Sequence, residues 1–272
     1  MPRNLDLPLI GMVAAALVVA LVVALVSTPV VKNLAIKGKA VDVPKDGRRM
    51  HDHPIPRMGG LAIFLGFLLS VLLFLELNPQ MRGMLLGAVI IVVLGIFDDI
   101  YSLRAMFKFV VQIVAALVAV LSGNVIEAVS NPNVFSADLY WELGWLKIPV
   151  TIIWIVAITN AVNLIDGLDG LACGVSTISS MTLLVIALVA SEPNVAILMA
   201  ALAGGCLGFL PYNMNPAKIF MGDTGSTFLG YILAVVSIQG LFKFYTIISF
   251  AVPFLMLGLP IFDTCFAFIR RI

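Results

Sequence analysis

Asn160-Ala-Val-Asn163-Leu-Ile-Asp166-Gly167-Leu-Asp169-Gly170 gathers two Asn, two Asp and two Gly at the end of the apolar run Ile148–Ile158. Two further groups repeat the pattern: Asp98-Asp99 closes the run Met84–Phe97, and Gly222-Asp223 follows the run Val195–Leu210. Carboxylates at the ends of runs this apolar are costly to keep, which makes them functional candidates. Several carboxylates at one level, beside a basic loop, suit a Mg²⁺ site that handles phosphates. Mg²⁺ takes one or two carboxylates and completes its shell with phosphate oxygens and water. Such an ion neutralises charge on a transferred phosphoryl group, and nearby Lys and Arg hold the remaining oxygens. Gly167, Gly170, Gly222 and Gly225 allow close backbone approach, and Gly225-Ser226 at a helix start would offer free N–H groups to an anion.

Each group also has a plainer reading. Asp98-Asp99 could cap the next helix, Asp223 between two glycines could mark a turn, and Asp263 beside Pro260 could end a helix. Asp166 and Asp169 stand three apart and share a helical face, which serves a cap as well as a site. His51 and His53 in the basic loop read more readily as solvated than as ligands. The plain readings weaken together if all these groups lie on one face of a membrane.

The elements that must position them follow from composition. Of 272 residues, 61% are hydrophobic and 11% charged, with a mean hydropathy of +1.12. A soluble domain of this make-up would have a largely apolar surface. Apolar runs near the roughly 20 residues that a spanning helix needs recur from end to end, without the alternation of barrel strands. The expected fold is an all-α, polytopic membrane bundle forming one domain over 1–272. About nine spans are expected, near 8–31, 59–77, 82–97, 105–122, 147–163, 171–190, 195–211, 226–242 and 246–264.

With those spans, Lys32, Lys37, Lys39, Lys45, Arg48, Arg49, Arg57, Arg104, Lys108, Lys218, Arg270 and Arg271 fall on one side. Arg3, Arg82, Lys147 and Lys243 fall on the other. The bias puts the basic side in the cytoplasm and the N-terminus outside. Asp98, Asp99, Asp166, Asp169, Asp223 and Asp263 then share the cytoplasmic face, in loops near 32–58, 98–108, 163–170 and 212–226. The first run is too long for a signal-peptide core and is expected to stay as a span. Trp141 and Trp145 in the external segment read as interfacial anchors. Cys173, Cys206 and Cys265 lack disulfide or metal spacing and read as small packing residues.

Taken together, PRMGG (56–60), FDDIYSL (97–103), NAVNLIDGLDGLA (160–172), NPAKIFMGDTGS (215–226) and PIFDT (260–264) resemble the polyprenyl-phosphate N-acetylhexosamine-1-phosphate transferases. This family, glycosyltransferase family 4, includes the phospho-MurNAc-pentapeptide translocase and the initiators of teichoic-acid and O-antigen synthesis. The resemblance implies a Mg²⁺-dependent transfer of a sugar 1-phosphate from a UDP-sugar to a polyprenyl phosphate, with release of UMP. It implies catalytic roles for Asp98, Asp99, Asp166 and Asp169, the first two near the lipid phosphate, which one of them deprotonates. It makes Asp223, with Asn163, the metal ligands. Substrate contacts are implied for Asn163, Gly167, Leu168, Lys108 and Arg57, and for Phe220 stacked on the uracil. Whether attack is direct or passes through a phosphorylated aspartate stays open.

Pro56-Arg57-Met58-Gly59-Gly60, where the translocase usually has Thr-Met-Gly-Gly, and DGRRMHDHPIP (46–56) resemble the teichoic-acid and enterobacterial-antigen initiators. The implied donor is UDP-GlcNAc and the implied acceptor undecaprenyl phosphate, in a bacterial plasma membrane with the site facing the cytoplasm. No nucleic-acid partner is expected, and a homodimer is left open. The alternatives are the translocase that makes lipid I and an ion-coupled transporter. The family also carries a further cytoplasmic loop with His-x-His-His and a last span, and these are expected to be missing from a C-terminally truncated sequence.

Overall fold

The computed structural model describes residues 7–43, 53–130 and 140–240, together with Phe266 and Arg270. Among the described residues eight α-helices dominate: α1 (Leu7–Lys37), α2 (Gly60–Phe74), α3 (Pro79–Tyr101), α4 (Ala105–Leu121), α5 (Lys147–Ile165), α6 (Leu171–Val189), α7 (Pro193–Asn213) and α8 (Gly222–Gly240). They coincide with eight of the nine expected spans; the ninth, 246–264, lies outside the described residues, as do Asp263, His51 and Cys265. Five helices are long and apolar enough to cross a membrane by length and composition, and α2 and α4 are shorter apolar helices. The chain is therefore a multi-pass helical membrane protein.

Local signals set the helix ends that matter. Asn78 caps α3, its side-chain oxygen accepting from the Met81 N–H at 2.8 Å, with Pro79 in the first turn. At the other end Ser102 turns left-handed at φ 50°, and α4 restarts after Arg104. This break leaves Asp98 and Asp99 in the last turn of α3, one short loop from Lys108. Gly170, at φ +73°, opens α6; only glycine adopts that backbone without strain.

Helix α8 is the axis of the bundle. It packs chiefly on α3 and α5, and also on α2, α6 and α7. Phe228, Leu229, Tyr231, Ile232, Ala234 and Val235 on it are fully buried, as expected of a helix apolar on every side. α1 lies against α2 and α7, and α6 against α7. α2 crosses α8 at a glycine pair: a Cβ on Gly60 would fall 1.9 Å from the Gly225 Cα. Small residues at such crossings let backbones meet where no hydrophobic force draws helices together.

Among the described residues two short antiparallel ladders, absent from the sequence reading, close opposite ends. β1 (Val41–Asp42) pairs with β2 (Ile55–Pro56) just before α2, and β3 (Ala128–Ser130) pairs with β4 (Tyr140–Glu142) between α4 and α5. Trp141 and Trp145 sit exposed in or just after the second ladder, as an interfacial role requires. Cys173 and Cys206 are buried and free, in keeping with packing.

Candidate active site

Lys108 bridges two of the sequence groups. Its ammonium donates to Asp98 Oδ2 and to Asp223 Oδ2, each at 2.8 Å. Asn163 on α5 brings in the third, donating through Nδ2 to Asp223 Oδ1 at 3.2 Å and to Ser226 Oγ at 2.8 Å. Arg57, ahead of α2, adds a second cation, with Nε 3.6 Å from Asp99 Oδ1 and Nη2 3.9 Å from Asp223 Oδ1. The ends of α3 and α5, the starts of α4 and α8, and the segment before α2 therefore meet at one end of the bundle. The three acidic groups, expected on one membrane face, do come together at one end of the helix bundle.

The cluster is held by further bonds. Asp98 Oδ1 accepts the Leu103 N–H at 2.7 Å, which fixes the turn that delivers Lys108. Asp99 accepts from the N–H groups of Asp223 and Thr224 and from the Thr224 hydroxyl. This corrects one reading of the sequence. α8 begins at Gly222 rather than at Gly225-Ser226, its first N–H groups are already taken by a carboxylate, and Gly225 is packed on Gly60. The helix start is filled from within.

The Asn160–Gly170 segment lines the other side. Asp166 follows α5 directly, and burial pushes its carboxyl up to about 7, with the charges of Asp223 and Asp99 adding and Arg57 opposing. Asp169 Oδ2 accepts the Ala217 N–H at 3.0 Å, tying this segment to the 214–220 loop. Phe220, in that loop, accepts from the Gly59 N–H and donates to the Pro56 carbonyl, so its position is set by the segment that carries Arg57. Gly167 and Leu168 are exposed.

Between α3, α4, α5 and α8 lies a cavity of about 560 Å³ whose walls include Lys108, Asp223, Asn163, Gln112, Met106 and Phe109. Its polar side is the Lys108–Asp223–Asn163 cluster. A turn deeper, Asn160 Nδ2 donates to Gln112 Oε1 at 2.6 Å and to the Val156 carbonyl at 2.8 Å. Its apolar side runs out along α4, where Phe107, Phe109, Val110 and Val114 are exposed. Sequence reasoning missed Gln112 and Thr224. Gln112 stands four residues after Lys108, on the same helical face, a signal that was available. Thr224 could not be found that way, because its partner lies on another helix.

Among the described residues no group of three or more His, Cys, Asp or Glu could hold a metal ion by protein ligands alone. Mg²⁺ does not require one, since phosphates and waters complete its shell. The donor set fits: Asp223 is partly exposed and Lys108 stands against it as a counter-cation. Asn163 commits its amide nitrogen to Asp223 and Ser226, which leaves its carbonyl oxygen as the atom that could ligate a metal.

The profile of glycosyl transferase family 4 matches residues 81–241. The chain is 48% identical over 261 residues to a probable undecaprenyl-phosphate N-acetylglucosaminyl 1-phosphate transferase of Bacillus subtilis (strain 168), covering 96% of this chain and 72% of that protein. It is 34% identical to the decaprenyl-phosphate N-acetylglucosaminephosphotransferase of Mycobacterium leprae (strain TN), over 98% of this chain and 72% of that one. A phospho-N-acetylmuramoyl-pentapeptide-transferase of Caldicellulosiruptor bescii is also 34% identical, over 83% of this chain and 72% of its own length.

Proposed function

This chain belongs to glycosyl transferase family 4, and we propose that it transfers N-acetylglucosamine 1-phosphate from UDP-GlcNAc to undecaprenyl phosphate, releasing UMP. The observation that carries the reading is Lys108 held between Asp98 and Asp223 at the wall of a half-apolar cavity. The donor follows from the 48% relative, whose printed name is an N-acetylglucosaminyl 1-phosphate transferase, while the pentapeptide transferase stands at 34%.

In the net reaction a phosphate oxygen of the acceptor becomes bonded to the β-phosphorus of the donor. The bond between that phosphorus and the oxygen bridging to the α-phosphate breaks, and UMP leaves with that oxygen. The polyprenyl chain keeps a diphosphate bonded to the sugar. The cavity suits the acceptor: an anionic head meets Lys108, and an isoprenoid tail follows the apolar face of α4 toward lipid. Lys108 neutralises phosphate oxygens while its bonds to two carboxylates fix its place. Arg57 faces the same cluster and serves the donor diphosphate. Asp166, Asp169, Gly167 and Leu168 form the wall on the nucleotide-sugar side, with Phe220 across the loop as the ring for uracil. Asp223 and the Asn163 carbonyl would hold Mg²⁺, which when bound supplies charge neutralisation at the diphosphate. This end of the bundle faces the cytoplasm in a bacterial plasma membrane, where nucleotide sugars are found.

UMP release measured with UDP-GlcNAc and with UDP-MurNAc-pentapeptide, each with undecaprenyl phosphate and Mg²⁺, tests the reading. Turnover of the first and loss of it with a chelator are expected. Preference for the pentapeptide donor makes the protein a lipid I synthase, and turnover of neither overturns the proposal.

A further inference from the structure

Asp98 and Asp99 are one unit in the sequence, yet their carboxylates are used differently. Asp98 accepts from Leu103 and shares Lys108 with Asp223. The Asp99 side chain has no exposure at all. Its Oδ1 accepts the Asp223 N–H at 3.0 Å, and its Oδ2 accepts the Thr224 N–H at 3.1 Å and the Thr224 hydroxyl at 2.7 Å. Those two N–H groups belong to the first turn of α8, where no intrahelical carbonyl is available to them. A side-chain acceptor there is what an N-cap residue normally supplies, and a negative charge is favoured by the helix dipole. The residue just before α8 is Met221, which has no such acceptor. Asp99 supplies it from 124 positions upstream, across the contact between two helices.

The surrounding backbone closes in on this carboxylate, which has Arg57 as a further polar neighbour, with Nε 3.6 Å from Oδ1. A Cβ on Gly222, whose φ is +72°, would lie 2.5 Å from Asp99 Oδ2, and one on Gly95 would lie 2.3 Å from the Thr224 Cα. α3 and α8 are in backbone contact at Gly95 and Thr224, and Gly222 lies directly against the Asp99 carboxylate. The helix turn it holds carries Asp223, whose own carboxylate is the meeting point of Lys108, Asn163 and Arg57.

We infer that Asp99 is a positioning residue, a cap supplied from α3 that locks the first turn of α8 and so places Asp223, and that it does not touch substrate. The inference rests on the proposed function and divides the labour of the Asp-Asp pair within it. It explains why two adjacent acids are needed where one phosphate is bound: one joins the charged cluster and the other holds the helix that completes it.

Asp99→Asn and Asp99→Ala in the full chain test it, with Mn²⁺ as the divalent probe titrated without substrates and with the pH dependence of UMP release as a second readout. Asn caps a helix about as well as Asp, so Asp99→Asn is expected to keep the shape of the pH profile and Mn²⁺ affinity within about threefold. Its kcat falls by about tenfold, because one of the two acceptor oxygens is gone. Asp99→Ala removes both and is expected to weaken Mn²⁺ binding by about 10- to 100-fold, the range seen when a residue that orients a ligand is removed. The inference is overturned if Asp99→Asn loses the acidic limb of the pH profile and is as inactive as Asp99→Ala, because a proton-accepting charge would then be the requirement. Unchanged Mn²⁺ affinity in Asp99→Ala also overturns it. If Asp99→Ala does not fold, Asp99→Asn alone decides. A wild-type protein that releases no UMP from either donor speaks against the proposed function instead, and the Mn²⁺ titrations still report on the cap.

Discussion

Asp223 is the residue on which the others converge, with Lys108, Asn163 and Arg57 around its carboxylate and its own N–H donated to Asp99. Asp223→Asn keeps the size of the side chain and removes its charge. UMP release is expected to fall by on the order of a hundredfold or more, with the protein still extracted folded from membranes; near-normal turnover would mean that the Asp223 carboxylate holds no metal that the reaction needs. Asp166 makes a different prediction. Its carboxyl ordinarily titrates at 3.8 and is pushed up to about 7 here. Between those values the folded chain keeps a proton that the unfolded chain releases, so this group lowers stability as pH rises through the window. Asp166→Asn is therefore expected to raise the thermal midpoint of the substrate-free protein at about pH 8 and to leave it unchanged near about pH 4. A midpoint that does not move at the higher pH would show that the buried charge is already compensated. These residues were legible because acids and amides at the ends of apolar runs are rare and costly. Their division into the partner of Lys108, the cap of α8 and the loop tie was not, because each contact depends on a partner far away in the chain.

The helices were legible where apolar length alone defines them, and less so at their ends. α8 was expected from 226 and begins at Gly222, because the carboxylate of Asp99 satisfies N–H groups that the local sequence would leave bare. Gly60 is the clearest mark of how tightly these helices meet. Gly60→Ala forces α2 and α8 apart at a contact with no space for a Cβ and is expected to cost about 1–3 kcal/mol, seen as a lower thermal midpoint. An unchanged midpoint would mean that the crossing relaxes freely. Gln112 and Asn160 join α4 to α5 one turn below Lys108 and Asn163. In a double-mutant cycle, Gln112→Leu and Asn160→Leu are expected to show a coupling of roughly 0.6 kcal/mol, the usual worth of such a pair between membrane helices. Additive effects would show that the pair does not hold these helices in register.

Among the described residues two polar clusters stand at opposite ends of the bundle. Asp98, Lys108, Asn163, Asp223 and Arg57 gather at one, while Asn78, Asn124, Gln239 and the ladder bearing Trp141 gather at the other. With the first end in the cytoplasm, a single Cys at Lys39 is expected to resist a membrane-impermeant maleimide in intact cells, and one at Glu142 to react. The reverse pattern would invert the topology. Composition and the spacing of apolar runs were enough to establish a multi-pass helical membrane protein and to single out its costly acids, because hydrocarbon tolerates only long apolar helices and few charges between them. Motif order was enough to indicate the family. It took the packed chain to show that Lys108 stands between Asp98 and Asp223, and that Asp99 faces a helix start 124 residues away. Such pairings depend on which helices become neighbours, and small-residue contacts spread over the bundle set those neighbours, so no single stretch of sequence records them.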